Sequence, residues 1–278
     1  MRVLLPKSLL ALLRGLALSC ALLPGVRAQV TLPAAQTAPL SPPTTLRHAQ
    51  GLYLLAVGVD KYPPPYALAS AVKDVRAIGE AFAQGAGLYG AFNARLLADE
   101  EATQANILEG LRWLADHVAE DHTGVVYLAG QAGMLHGNQY QFLPYDVGAD
   151  IGGSSSKWVS GEAIARALQP ARGRILVMAD TVAAGGLAKP LVGTARANAS
   201  LVVLLSSAAD EMAAEDQHHG FFTQAVIDGF RLVSGDGFVR PLALSRYVAE
   251  RVRTQSDGNQ NPVIYFSGPD DPIARVRK

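Results

Sequence analysis

The chain is 278 residues long, 49% hydrophobic and 17% charged. That is a globular composition, long enough for one large α/β domain or two small ones. The 24 basic and 24 acidic side chains balance to a formal net charge of zero, which gives no electrostatic reason to expect nucleic acid or an acidic surface as a partner.

Residues 1–28 differ from the rest. Arg2, Lys7 and Arg14 make a basic start, Gly15 to Leu23 is a nine-residue apolar run, and Pro24-Gly25 breaks it. Val26-Arg27-Ala28 then places small residues ahead of Gln29, the pattern of a secretory signal cleaved before Gln29. Nine helical residues cross only about half of a ~30 Å hydrocarbon core, so no membrane span is expected once the signal is gone. The protein is expected to be exported, to the periplasm or the outside medium. A lipoprotein acylated at Cys20 is the less favoured alternative: Ala17-Leu18-Ser19-Cys20 is a poor lipobox after too short an apolar run. Taking the signal's four basic residues from the 24 leaves 20 against 24 acidic, a net charge of −4. Cys20 is the only cysteine, so the folded part has no thiol, disulfide or cysteine-based metal site.

Residues 29–49 are rich in Pro, Thr and Ala and read as an extended leader. GLYLLAVGV (51–59) is a continuous apolar run of strand length, followed by a loop with three prolines. Residues 67–84 carry Leu68, Val72, Val75, Ile78, Ala81 and Phe82 at helical spacing. GAGLYG ends that helix, and FNARLLAD (92–99) alternates like a strand. Thr103 opens a helix with Ile107, Leu108, Leu111 and Leu114 on one face. Val125 to Leu128 is a buried strand that runs into a glycine-rich turn carrying Gln131. Residues 140–147 form a short strand leaving a loop, 151–157 a flexible turn, and Ser160 caps a further helix. Strands follow at 173–180 and 199–208, amphipathic helices at 221–233 and 241–255 (the second opened by Pro241), and a last strand at 262–268. Residues 269–278 read as a charged tail. Apolar strands alternating with helices predict one domain over 50–268: a mostly parallel six-stranded sheet with helices on both faces. Ligands of such a sheet bind at the carboxyl ends of its strands, so the loops 130–139, 180–198 and 206–219 are where a site belongs.

Several motifs exclude themselves. GAGLYG (85–90) follows a helix and precedes a strand, the reverse of a dinucleotide-binding turn, and reads as a helix end. No H-E-x-x-H, G-x-S-x-G or G-x-x-x-x-G-K occurs. His117 and His122 sit near a helix end as solvated or capping residues. His218 and His219 are adjacent, and neighbours rarely point at one ligand. SGDGFV (234–239) has one aspartate where a calcium loop needs several oxygens. Neither metal nor cofactor is therefore expected. Asn198-Ala199-Ser200 is a glycosylation sequon if the source glycosylates.

Six segments in order resemble the caspase-like peptidases, their bacterial metacaspase-type branch in particular. LYLLAVGVDKY resembles the first strand of that fold, and ALASAVKDVRAIGEAF, with Asp74, the helix after it. VVYLAGQAG is similar to the strand and SGHG segment that presents the catalytic histidine. ILVMADTVAAGG is similar to the strand and DACHSGG segment that presents the nucleophilic cysteine. LLSSAADEMAAEDQHHGFFTQAVIDGF resembles the substrate loop and its following helix, and PVIYF the closing strand. The resemblance spans about residues 50–266 and implies a caspase-like three-layer sandwich.

It also implies what is missing. Gln131 falls at the histidine position and Val182 at the cysteine position. The family's chemistry needs a thiolate to attack the carbonyl and an imidazole to move protons. Valine offers methyl groups, and an amide does not titrate. Thr181 is one residue from the nucleophile position and aims at the other face of an extended segment. It would lack a base unless His136 folded back. Ser206 and Ser207 end a strand that, in the family, lines the substrate channel. In the branch that cleaves after Arg or Lys, residues matching Asp180 and Asp74 line the pocket for that basic side chain. The resemblance thus implies Asp74, Asp180 and Ser207 as substrate-binding positions, although Asp180 at a strand end also suits a turn cap and Asp74 a solvated helix face. Three functions stay open: a pseudopeptidase binding a peptide or protein partner with an exposed Arg or Lys, a hydrolase with a non-cysteine nucleophile, and a structural envelope module.

Overall fold

In the computed structural model the residues described are 51–148, 151, 156–195, 200–214, 219–232 and 236–275. The expected signal and leader, Asn198 of the sequon, His218 and most of the turn expected at 151–157 lie outside them. The elements run β1 (Leu52–Gly58), α1 (Ala71–Gly85), β2 (Phe92–Ala98), α2 (Gln104–His117), β3 (Thr123–Gly130), β4 (Ala132–Leu135), β5 (Gln139–Phe142) and β6 (Val159–Ser160). They continue with α3 (Gly161–Leu168), β7 (Arg174–Thr181), α4 (Ala188–Thr194), β8 (Leu201–Leu205), α5 (Phe221–Leu232), β9 (Phe238–Val239), α6 (Pro241–Gln255), β10 (Val263–Ser267) and β11 (Ala274–Arg275).

The apolar runs are strands because each buries both of its faces. Leu55 and Val57 of β1 pack with Val126, Leu128, Val177 and Val203 against Ile107 and Leu111 of α2 and Ile164 of α3. Their neighbours Leu54 and Ala56 pack with Val125, Tyr127, Met178 and Leu204 against Val75 and Phe82 of α1, Phe222 of α5 and Val248 of α6. The period-two alternation thus sorts one sheet into two cores and three layers. Strand order is β2-β1-β3-β7-β8-β10, parallel throughout except that β10 runs antiparallel to β8. Five carboxyl ends therefore open on one edge.

The helix starts have separate causes. Thr103 Oγ1 accepts from the N–H of Asn106 at 3.3 Å and Ser160 Oγ from Ala163 at 3.1 Å. Pro241 takes the first position of α6. α1 is capped from a distance: the Asp60 carboxylate accepts from Ala71 at 2.8 Å and from Val72 at 3.2 Å. Burial holds that carboxyl above its usual value in spite of both bonds.

Two expectations change. The glycine-rich loop at 130–139 is a hairpin, β4 paired with β5, which β6 extends to a three-stranded sheet. The tail expected from residue 269 is packed instead: Ile273 and Ala274 are fully buried and β11 pairs with β9. The charges that made it read as a tail are its anchors. Asp270 Oδ1 accepts from the Leu242 N–H at 2.9 Å, and Asp271 pairs with Arg174 at 3.3 Å. No helix among the described residues is long and apolar enough to cross a membrane.

Candidate functional site

The register builds the site. β3 and β7 are neighbours, pairing Ala129 with Asp180 and Gly130 with Thr181. Gln131 and Val182 are the next residue on each strand, one past the last paired position. Gly130 holds φ at +151°, and a Cβ there would lie 2.7 Å from the Tyr62 hydroxyl, so only glycine fits. That hydroxyl accepts from the Gln131 N–H at 3.0 Å and donates to the Leu143 carbonyl at 2.7 Å. Burial pushes the Tyr62 phenol far above its usual range, so it remains a donor. The Gln131 side-chain amide donates to the Tyr66 carbonyl at 2.9 Å, tying this position to the proline loop.

The backbone after Val182 is a tight elbow. Ala183 sits in the left-handed region at φ +53°, a costly place for a residue with a Cβ. Its N–H donates to Glu211 O, that of Ala184 to Ser207 Oγ, that of Gly185 to Ser207 O and that of Gly186 to Ala183 O. Four consecutive donors are therefore engaged within the protein. Ser206 and Ser207 are fully buried, and both hydroxyls also donate to the Thr181 carbonyl, at 3.2 and 3.4 Å. Ser207 thus lies beneath the elbow and serves it. Thr181 is itself buried, its hydroxyl 3.0 Å from that of Tyr140. His136 is exposed at the hairpin tip, five residues beyond Gln131, about 16 Å along an extended arm.

Glu211 clamps this loop to the chain before β10. Its carboxylate accepts from the Ala208 N–H at 3.0 Å, the Asn261 N–H at 2.7 Å and the Asn261 side-chain amide at 2.7 Å. Burial works to raise the carboxyl, but these donors outweigh it and hold it below its usual value. A carboxyl lowered by folding adds stability above its unfolded value of about 4.5 and loses it as pH falls through the folded value. Thermal melts from pH 3 to 7 are expected to show wild type more stable than Glu211→Gln above about pH 4.5 and the two converging below it. A gap independent of pH would contradict that.

Two carboxylates meet on the α1–α5 side. Asp180, in the second-last position of β7, accepts through Oδ2 from the Thr223 N–H at 3.2 Å and hydroxyl at 2.7 Å. The Thr223 hydroxyl is 2.6 Å from that of Tyr127, whose phenol is raised by burial first and then by the charges of Asp74 and Asp180. Asp74, in the first turn of α1, meets His219: Nδ1 is 2.5 Å from Oδ1. The Gly220 N–H donates to its Oδ2 at 3.2 Å. Gly220 lies between the two acids, and a Cβ there would collide with the Asp180 carboxylate. Asp74 is 2% and Asp180 8% exposed, so neither is a solvated surface acid. An open basin of about 730 Å³ lies beyond the proline loop, with Asp60, Lys61, Tyr62, Tyr145 and Asp146 in its wall.

The family model of the caspase domain matches residues 53–273, the whole sheet and both flanking layers. The chain belongs to the caspase family. Among solved structures, this caspase-family fold is similar to a protein from Geobacter sulfurreducens, with 14% identity, 82% of this chain and 97% of that one covered, and a TM-score of 0.56. It is also similar to Caspase-1 from Spodoptera frugiperda, at 12% identity, 82% and 92% coverage, and a TM-score of 0.53. At such identities the likeness establishes the fold. No curated protein sequence matches the chain.

Three contributors to this caspase-family site escaped the sequence reading. Tyr127 and Thr223 read as core and helix residues, and only the fold brings them to Asp180. His219 read as half of an adjacent histidine pair; its partner, Asp74, is 145 positions away. Among the described residues no group of three or more His, Cys, Asp and Glu is arranged to hold a metal ion.

Proposed function

We propose that this caspase-family protein is an exported pseudopeptidase that binds a peptide or protein partner at its strand ends and hydrolyses nothing. The observation that carries the reading is the β3–β7 register, which ends on Gly130 and Thr181 and leaves Gln131 and Val182 as the next residue on each strand: in this reading an amide and two methyl groups take the positions where acyl transfer would need a proton carrier and a nucleophile. The engaged donors after Val182 support it, because an oxyanion needs free N–H groups aimed at it. The buried hydroxyls of Thr181, Ser206 and Ser207 argue against a substitute nucleophile. Export rests on the pattern of residues 1–28. The buried acids Asp74 and Asp180 support a partner with an exposed Arg or Lys.

A second reading, a structural envelope module, is favoured by one observation: His219, from the protein's own loop, already sits on Asp74. Digestion of a mixed-sequence peptide library, read by mass spectrometry for new termini, tests the loss of hydrolysis. The library is expected to survive intact. Reproducible cleavage that follows the protein through purification would overturn the reading.

A further inference from the structure

The open basin beyond β1 holds about 730 Å³, within the range of about 300–1,000 Å³ that takes drug-sized ligands. One wall is the start of the proline loop, with Asp60 and Lys61; the other is the segment after β5, with Asp146 and Lys157. Each wall thus carries one carboxylate and one ammonium, and Pro63, Leu68 and Tyr145 add apolar surface. Both walls are tied to Gln131. Its N–H donates to Tyr62 Oη at 3.0 Å, its side-chain amide to the Tyr66 carbonyl at 2.9 Å, and its carbonyl accepts from the Leu143 N–H at 3.0 Å. The basin is therefore built before a ligand arrives, which reduces the ordering cost of binding. Its charged groups differ in what already holds them. Asp60 uses both oxygens on the first amides of α1. Asp146 accepts through Oδ1 from the Gln104 N–H at 2.9 Å, and among the described residues nothing donates to its Oδ2. Lys157 Nζ donates to the Asp146 carbonyl at 3.0 Å. Lys61 pairs with Glu100 at 2.9 Å and Asp99 at 3.5 Å, and its side chain is 61% exposed. Exposed pairs of this kind add little, so the Lys61 ammonium exchanges partners readily.

Resting on the reading that the protein binds peptides without cutting them, we propose that this basin holds a short peptide by both of its free ends: the amino terminus on Asp146 Oδ2, the carboxylate on Lys61, and apolar side chains on Pro63, Leu68 and Tyr145. Mixed charge on both walls decides the class of ligand. A simple cation would meet two ammonium groups and a simple anion two carboxylates, whereas a zwitterion finds a charge-assisted partner at each end. Length follows from size. A space of 730 Å³ is about 9 Å across, and an extended chain spans at most about 3.3–3.6 Å per residue, so two or three residues reach from wall to wall.

The probe is trileucine, titrated by calorimetry, with acetyl-trileucine and trileucine amide as analogues blocked at one end. Wild type is expected to bind trileucine about fivefold or more tightly than either blocked peptide. Asp146→Asn keeps an oxygen for the Gln104 N–H. It is expected to weaken trileucine by a similar factor and to leave acetyl-trileucine unchanged, and Lys61→Met to weaken trileucine and leave trileucine amide unchanged. No binding, or equal affinity for free and blocked peptides, would overturn the basin site and leave the non-hydrolysing reading standing. Variants that bind trileucine as wild type does would overturn it too. Trileucine that binds as expected but is recovered in pieces, read by mass spectrometry, would overturn the non-hydrolysing reading and leave the site. Should Asp146→Asn fail to fold, Lys61→Met and the blocked peptides on wild type still decide.

Discussion

Protein carrying Val182→Cys together with Gln131→His is expected to react with iodoacetamide at pH 6 about tenfold faster, or more, than protein carrying Val182→Cys alone. The thiolate is the reactive form, and a thiol of ordinary pKa, about 8.5, is under about 1% ionised at that pH. An imidazolium alongside lowers the thiol and multiplies the ionised fraction. Whether it stands alongside depends on the sheet: β3 and β7 are paired up to Gly130 and Thr181, and the two substituted residues come next. Wild type labelled in parallel accounts for Cys20. Equal rates for the single and double variants would mean that positions 131 and 182 do not face each other, and with that the main support for the pseudopeptidase reading would go.

Thr223→Val is expected to cost about 2–4 kcal/mol, read by denaturant unfolding, and to lower the melting temperature by roughly 5–15 °C. The change keeps shape and removes one hydroxyl. That hydroxyl is fully buried between the Asp180 carboxylate and the equally buried Tyr127 phenol, so both partners are left short inside the core. Tyr127→Phe in the same protein removes one of the stranded groups. The double variant should therefore cost at least about 1 kcal/mol less than the two single costs added. Strict additivity would show that the three groups do not act as a chain, and that Asp180 is held by something else.

The sheet was legible because its central strands are apolar runs of strand length and its helices periodic: Leu54 and Leu55 are adjacent, both buried, and face opposite layers, as a strand covered on both sides requires. The positions of Gln131 and Val182 were legible through the glycines and the aspartate around them. What stayed hidden was tertiary. Nothing local in MLHGNQYQ separates a loop from the hairpin it forms. Asp270 and Asp271 read as tail charges because their partners, the Leu242 N–H and Arg174, are distant in sequence. Ser207 carried a substrate-binding expectation from the resemblance of its strand to the one that lines the family's substrate channel, and the turn beneath which it is buried uses its hydroxyl. His219 could be weighed only against neighbours in sequence, and the group it meets is on the first helix.

The packing of the C-terminal segment bears on when this protein can fold. Ile273 and Ala274 complete the layer that holds Phe82, Phe230 and Leu244, and Ala274 lies directly against Gly85 of α1. During synthesis that layer stays open until residue 275 has been made, since β10 and β11 supply the outer strand and the closing contact. These contacts join parts of the chain that are distant in sequence, and such non-local contacts form late and slowly. Until then Phe82 and Gly85 of α1 lack the contacts that Ile273 and Ala274 bring to them.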